Sequence, residues 1–184
     1  MKLRKLLCLL LSLLMLVSLV ACGDKDEDEG GESGGKKTAN PETIVEKFMN
    51  CFIDADVKVA FDLVSPEMLE FALEDEGMTE EDLDEMVDEL NSQLEEMYEY
   101  VEEMTGEKLK MTYEIANETD MDEEDLEYIQ SVYDEADIEI EAAKVYDVDL
   151  IMEIAGESQT ETMEVTVVKI DGQWYLEPSS LDSF

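Results

Sequence analysis

The sequence contains no histidine, only three cysteines and a single tryptophan in 184 residues. Without histidine, the chain cannot form a Ser-His-Asp or Cys-His nucleophilic site. The same absence, with so few cysteines, removes most zinc geometries. The glycine pairs at residues 30–31 and 34–35 do not follow a strand and open a helix, so they do not form a phosphate-binding loop. We therefore predict no catalytic residue, no cofactor and no metal site.

Basic residues are also scarce. The chain has 12 Lys and Arg and 51 Asp and Glu, which gives a net charge of −39. This negative charge opposes binding to nucleic acid, whose phosphates are anionic. It also repels an anionic lipid surface. We expect no nucleic-acid partner; a partner should be cationic, carry a divalent metal or be apolar. Alternatively, the charge serves only for solubility and for spacing from a membrane.

The N-terminal segment has three parts. Basic residues (Lys2, Arg4 and Lys5) precede an apolar run over residues 6–20, and a small residue, Ala21, precedes Cys22. A secretory signal has this order of basic flank, apolar core and small cleavage residue. The ending Leu19-Val20-Ala21-Cys22 resembles the lipobox of bacterial lipoproteins, in which the cysteine is diacylated and the peptide is cut just before it. The alternative is an uncleaved transmembrane helix, which the length of the run permits.

The lipobox resemblance implies that residues 1–21 are a signal peptide and that Cys22 carries the lipid, including palmitate. Two acyl chains hold a protein stably at a membrane, whereas one chain does not. The protein is then expected on the exterior face of the cell membrane of a Gram-positive bacterium. Residues 22–39 are acidic and rich in Gly and Ser, which predicts a flexible tether.

The remaining segment, residues 40–184, has the size of one domain. Its only cysteine, Cys51, lies among apolar residues, so a buried inert thiol is favoured over a reactive one. Helical spacing and capping residues predict an opening run of helices, with caps at Asn40, Asp56, Ser65 and Thr79. The longest helix, residues 80–104, has the apolar steps of a coiled coil, but we expect it to pack on the protein's own sheet.

Strand patterns dominate the second half of the chain. Residues 109–115, 146–154 and 163–167 alternate apolar and polar side chains, a helix is predicted over residues 122–133, and Asp171-Gly172 is a strong hairpin signal. Helices followed by an antiparallel meander predict an α+β fold.

Two segments together resemble small lipoprotein domains of the nuclear-transport-factor-two-like, or cystatin-like, superfamily. They are Pro41–Met68, with its first helix, acidic turn and Ser-Pro, and Thr166–Leu176, with its Asp-Gly turn and Trp. The resemblance implies a curved antiparallel sheet wrapped around helices, with a cone-shaped cavity. The candidate cavity residues are Tyr113, Tyr146, Trp174 and Tyr175.

Three functions remain open at this point. The first is a non-catalytic binding module that presents its cone or its acidic helix to a small ligand or to another envelope protein. The second is an enzyme that uses carboxylates and tyrosines within the cone. The third is an acidic spacer or cation-buffering surface protein.

Overall fold

The computed structural model describes residues 40–182, which form five α-helices, four β-strands and two short 3-10 helices. The elements follow one another as α1 (Pro41–Ile53), α2 (Lys58–Asp62), α3 (Pro66–Glu76), α4 (Glu80–Thr105), β1 (Lys110–Asp120), α5 (Glu123–Tyr133), a 3-10 helix (Asp134–Ala136), β2 (Ala142–Ile154), β3 (Glu157–Ile170), β4 (Gln173–Leu176) and a second 3-10 helix (Pro178–Asp182). This order confirms the predicted α+β class. The predictions for Cys22 and for the segments before residue 40 lie outside the described residues.

One of the four predicted helix caps is confirmed in position only, and another is wrong. Asn40 is the N-cap residue of α1, as predicted, but its side chain makes no capping hydrogen bond, and Pro41 occupies the first helical position. At α2 the N-cap residue is Val57 rather than Asp56. The Val57 amide is satisfied by the side chain of Asn91 in α4, at 2.8 Å. Helix α2 therefore begins without a side-chain cap, and a residue of a distant helix binds the amide of its N-cap residue.

The other two predicted caps are confirmed. The Ser65 hydroxyl accepts from the Met68 amide at 3.2 Å at the start of α3. Thr79 and Asp82 form a reciprocal capping box at the start of α4. Helix α4 ends at Gly106, whose φ of +79° is the left-handed conformation that glycine adopts without a steric cost.

Most of the apolar stripe of α4 is buried against other helices rather than against the sheet, contrary to the expectation from its sequence. Five of its side chains form a small second core with two residues at α2; the members are Val57, Phe61, Leu83, Val87, Leu90, Leu94 and Met97. The partly buried Leu69 and Leu73 of α3 pack against this core. Tyr98 contacts both this second core and the main core, and it links the two.

The four strands form one antiparallel sheet in the order β1-β2-β3-β4. Strands β2 and β3 pair along nearly their whole length, from Ala142–Lys169 to Ile154–Glu157. The predicted Asp171-Gly172 turn joins β3 to β4, with φ of +49° and +78°. Both residues at positive φ fit a type I′ turn, whose twist matches that of the strands it connects.

The main core lies on the face of the sheet that carries Tyr146, Val148 and Leu150, which we call the inner face. These residues and their β3 neighbours Met163 and Val165 are buried, as the alternation in the sequence predicted. Helix α1 contacts this core through a face formed by Ile44, Val45, Phe48 and Met49. The opposite face is also covered at the β3–β4 end, because Ala143, Val168 and Ile170 are buried there.

Candidate binding site

Three of the four predicted cavity residues share the inner face of the sheet. Tyr146 lies on this face of β2, and Tyr113 of β1 lies opposite Leu150. Trp174 of β4 lies opposite Lys169, which in turn lies opposite Ala142. Ala142 is four residues before Tyr146 on β2, so Trp174 shares the face of Tyr146. Successive side chains of a strand point to opposite faces, so Tyr175 lies on the other face, opposite Val168. Neither of the two pockets described below is lined by any of the four.

Tyr146 is the most unusual of these residues, because its side chain is buried and its hydroxyl has no hydrogen bond of ordinary geometry in the described structure. A register shift between Ile115 and Asn117 in β1 brings Glu118 opposite Tyr146. Glu118 is also paired with Lys144. Burial raises the pKa of Tyr146, and the neighbouring carboxylate of Glu118 raises it further. The phenol therefore stays protonated at neutral pH.

The buried acid of the described structure is Glu177. Its carboxylate accepts a hydrogen bond from the Ser179 amide at 2.8 Å and another from the Ser179 hydroxyl. The pKa of Tyr133 is raised, first by burial and then by the charge of Glu177. Glu177 lines neither pocket, and its bonds to Ser179 hold the chain just after β4. The bonds between Glu177 and Ser179 therefore stabilise the fold.

Cys51 is buried, as predicted, and its thiol lies 2.8 Å from the Phe48 carbonyl oxygen. Burial raises the pKa of this thiol, and the carboxylates of Asp56 and Asp54 raise it further. Since the thiolate is the reactive form, a raised pKa makes the side chain inert. The inert reading of Cys51 agrees with this environment.

One pocket, of about 570 Å³, lies beside α5 and is lined by Gln130, Asp134, Asp137, Ile138, Glu139 and Ile140. The Gln130 amide is already used: its nitrogen donates to Asp134 Oδ1 at 2.6 Å and to the Ile138 carbonyl at 3.0 Å, and its oxygen accepts from the Ile140 amide at 2.9 Å. These bonds fix the loop between α5 and β2. They leave only exposed carboxylates to face a ligand.

The other pocket, of about 370 Å³, is lined by Ile53, Tyr98, Leu109, Lys110, Met111 and Thr112, and we call it the edge pocket. Its volume falls within the range of small-ligand sites, roughly 300–1,000 Å³. The end of α1 supplies Ile53, α4 supplies Tyr98, and Leu109 with the first three residues of β1 supplies the rest. Apolar walls with a few polar groups at the rim are the usual composition of such a site.

Tyr98 forms the aromatic wall of the edge pocket. Its hydroxyl donates to the carbonyl oxygen of Phe52, near the end of α1. Burial raises the pKa of Tyr98 to about 12, and the charge of Asp54 adds to the effect. The hydroxyl is thus neutral and already bonded at physiological pH. It presents its ring, and not its polar end, to the pocket.

Sequence reasoning missed the edge pocket, because Ile53, Tyr98 and Leu109 are read from their spacing as ordinary core residues. The signal in the sequence was Lys110, which lies between the apolar residues Leu109 and Met111 in a chain with 51 acids. No family model, no curated protein and no solved structure matches the chain. Within residues 40–182, no group of three or more acids or cysteines is arranged to hold a metal ion, and no helix is long and apolar enough to cross a membrane.

Proposed function

We propose that the protein is a membrane-anchored extracytoplasmic lipoprotein whose folded domain is a non-catalytic binding module. The edge pocket carries the binding part of this proposal. It offers apolar walls from Ile53, Leu109 and Met111, and the polar side chains at its rim are a lysine and a threonine. The lining has no carboxylate and no thiol, and the Tyr98 hydroxyl is already bonded to the Phe52 carbonyl, so the pocket lacks the paired acid and base groups that most catalytic sites combine.

The anchor part of the proposal rests on the sequence before residue 40. The basic flank, the apolar run and the small residue before Cys22 support lipidation at that cysteine, on the exterior face of a Gram-positive cell membrane. A flexible tether over residues 23–39 would have a root-mean-square span of roughly 20–25 Å. The domain would then stand off from the membrane, whose anionic surface its charge opposes.

The cystatin-like shape belongs to the same proposal. An antiparallel sheet with α1 against its inner face is compatible with a cone that narrows beneath that helix. In the enzyme alternative, the reaction would use the tyrosine–carboxylate pair of Tyr146 and Glu118, which lies outside both pockets. The edge pocket therefore favours binding over catalysis.

Two measurements test the proposal. In cells supplied with alkyne-tagged palmitate, the parent chain and the matched variant Cys51→Ala should take up the label, while Cys22→Ala should not. A photo-crosslinking residue in place of Thr112, at the rim of the edge pocket, should form a ligand adduct in intact cells, detected by mass spectrometry. The same residue in place of Gln173, in the exposed β3–β4 hairpin, should not. Labelling of Cys22→Ala equal to that of the parent chain, or equal adducts at both positions, would contradict the proposal.

A further inference from the structure

The edge pocket lies along the open edge of the sheet. Strand β1 pairs only with β2, so its other side has no strand partner in the described structure. Three consecutive residues of β1, Lys110, Met111 and Thr112, line the pocket. Successive side chains of a strand point to opposite faces of the sheet. A pocket lined by all three residues therefore lies beside the outer edge of β1 and not on one face. A ligand in this pocket is therefore beside unpaired backbone amides and carbonyls.

The part of β1 that can accept another strand is short and well defined. Its register with β2 is regular from Lys110 to Ile115 and shifts between Ile115 and Asn117. Such irregularities bend a strand and interrupt further pairing at an edge. The open segment thus begins at the pocket and runs for about six residues. That length suits a short extended peptide and not a long strand or a sheet.

The charge at the pocket points to an anionic group on the ligand. Ion pairs within 4 Å engage Lys58, Lys144 and Lys169 in the described structure. Among the described residues, Lys47, Lys108 and Lys110 make no such pair, and of these three Lys110 lines the edge pocket, with Glu153 as its neighbour on β2. In a chain with 51 acids, an exposed lysine without a close carboxylate at the mouth of an apolar pocket is available to an external carboxylate. Beyond it, Glu114 is exposed on the same open segment.

We propose that the edge pocket and the open edge of β1 bind the C-terminal end of an extended peptide. The apolar side chain of the last residue enters the pocket formed by Ile53, Tyr98 and Leu109. Its free carboxylate pairs with Lys110. The preceding residues add to the sheet antiparallel to β1 and pass Glu114, which favours a basic side chain there. This inference rests on the proposed function as a binding module and names its ligand class.

A peptide explains features that a fatty acid does not. A free acyl chain would use the apolar walls and Lys110, but it has no groups for the backbone of an open strand. The pocket of about 370 Å³ has room for the last side chain of such a peptide together with its carboxylate, and three consecutive residues of β1 line it. The continuity between the pocket and the strand edge therefore favours a peptide end.

The test uses the folded chain with its signal removed and a fluorescent hexapeptide of alternating threonine and lysine that ends in leucine. Fluorescence anisotropy should show saturable binding, and nuclear magnetic resonance should show shifts of the amides from Lys110 to Ile115. Amidation of the peptide C-terminus should weaken binding about ten-fold or more, the range expected for the loss of one charge-assisted bond. Lys110→Glu should weaken it similarly, and Leu109→Asp should abolish it.

The matched control is Lys47→Glu, which makes the same change of charge at an exposed lysine of α1. Circular dichroism and urea unfolding check that each variant folds. Equal weakening by Lys47→Glu, or equal binding of the amidated peptide, would overturn the proposal. So would complete displacement of the peptide by decanoate with shifts confined to the pocket, which would assign the pocket to a fatty acid. If the peptide does not bind but crosslinking at Thr112 still yields an adduct, the proposed binding function is retained and only the proposed ligand class is wrong.

Discussion

The side chain of Asn91, in the middle of α4, accepts a hydrogen bond from the Val57 amide at the start of α2, at 2.8 Å. The two residues are 34 positions apart, and the bond is partly buried. Helix α4 is otherwise joined to α2 and α3 mainly by apolar side chains of the second core. Asn91 therefore fixes the position of α4 along α2, which nonspecific apolar packing alone would leave free to slide.

Replacing Asn91 with alanine should lower the free energy of unfolding by about 1–2 kcal/mol, because the partly buried Val57 amide loses its acceptor. Urea unfolding followed by circular dichroism measures the change. Asn91→Asp keeps an acceptor oxygen at the same place and should cost less than Asn91→Ala. An equal loss in both variants would show that the hydrogen bond does not stabilise the fold.

Replacing tyrosine with phenylalanine should change the free energy of unfolding differently at Tyr98 and at Tyr146. Tyr98→Phe removes the bond to the Phe52 carbonyl and should lower the free energy of unfolding by about 1 kcal/mol. Tyr146→Phe removes a buried hydroxyl without a hydrogen bond of ordinary geometry, and its stability should be unchanged or higher. Urea unfolding of both variants is the measurement. A loss at Tyr146 equal to that at Tyr98 would show that the Tyr146 hydroxyl donates to Glu118 in solution.

Alkaline pH should weaken the fold through Tyr98. Its pKa rises from the ordinary 10.0 to about 12 in the folded chain. Below pH 10 both states are protonated and no stability is lost; between pH 10 and about 12 the unfolded chain loses the proton first, so stability falls. Thermal unfolding from pH 9 to 12 should show this decline, and Tyr98→Phe should reduce it. An identical decline in Tyr98→Phe would assign it to other groups.

Acid should weaken the contact between Glu141 and the β3–β4 hairpin. The Glu141 carboxylate pairs with Lys169 at 2.7 Å and accepts from the Gly172 amide at 2.9 Å. The hydrogen bond from Lys169 is the main cause of its lowered pKa, which lies below the ordinary 4.5. Its stabilising contribution is therefore complete above pH 4.5 and is lost as the pH falls through the folded value.

Glu141→Gln tests this assignment, because glutamine keeps the shape of the side chain but does not titrate. The difference in unfolding free energy between the parent and Glu141→Gln should shrink as the pH is lowered from 6 to 3. Using the difference between the two chains cancels the effect of the many other acids. A difference that stays constant with pH would show that Glu141 makes no charge-dependent contribution.

Salt should stabilise the protein, chiefly through α4. This helix carries twelve Asp or Glu residues and no Lys or Arg. At an ionic strength of 0.1 M, charges are screened beyond about 10 Å, so repulsion along the helix and with the rest of the domain is reduced. Raising sodium chloride from about 10 to 200 mM, or adding millimolar calcium, should raise the melting temperature by several degrees.

A variant with Glu95, Glu96, Glu99 and Glu103 changed to glutamine should have a smaller salt response than the parent, because four of the repelling charges in α4 are gone. Differential scanning calorimetry of both chains gives the comparison. A melting temperature that does not respond to salt in the parent chain would rule out the acidic-spacer function, since that function requires a shell under self-repulsion.

Local signals in the sequence determined most of the individual elements. The Thr79 capping box, the Asp171-Gly172 turn and the alternation over Tyr146, Val148 and Leu150 each act within a few residues, so they could be recognised without the fold. The α+β class follows from their order along the chain. The lipidation of Cys22 is likewise a local pattern, and it stays a prediction.

Only the tertiary structure decided which surfaces meet. The apolar stripe of α4 requires burial but does not specify its partner, and α2 and α3 cover it instead of the sheet. The acceptor for the Val57 amide at the start of α2 comes from Asn91, 34 residues away, and no local rule points to it. The edge pocket exists because α1, α4 and β1 converge at Ile53, Tyr98 and Leu109. Side-chain spacing reports that a residue is buried, whereas packing decides whether it fills a core or lines a pocket.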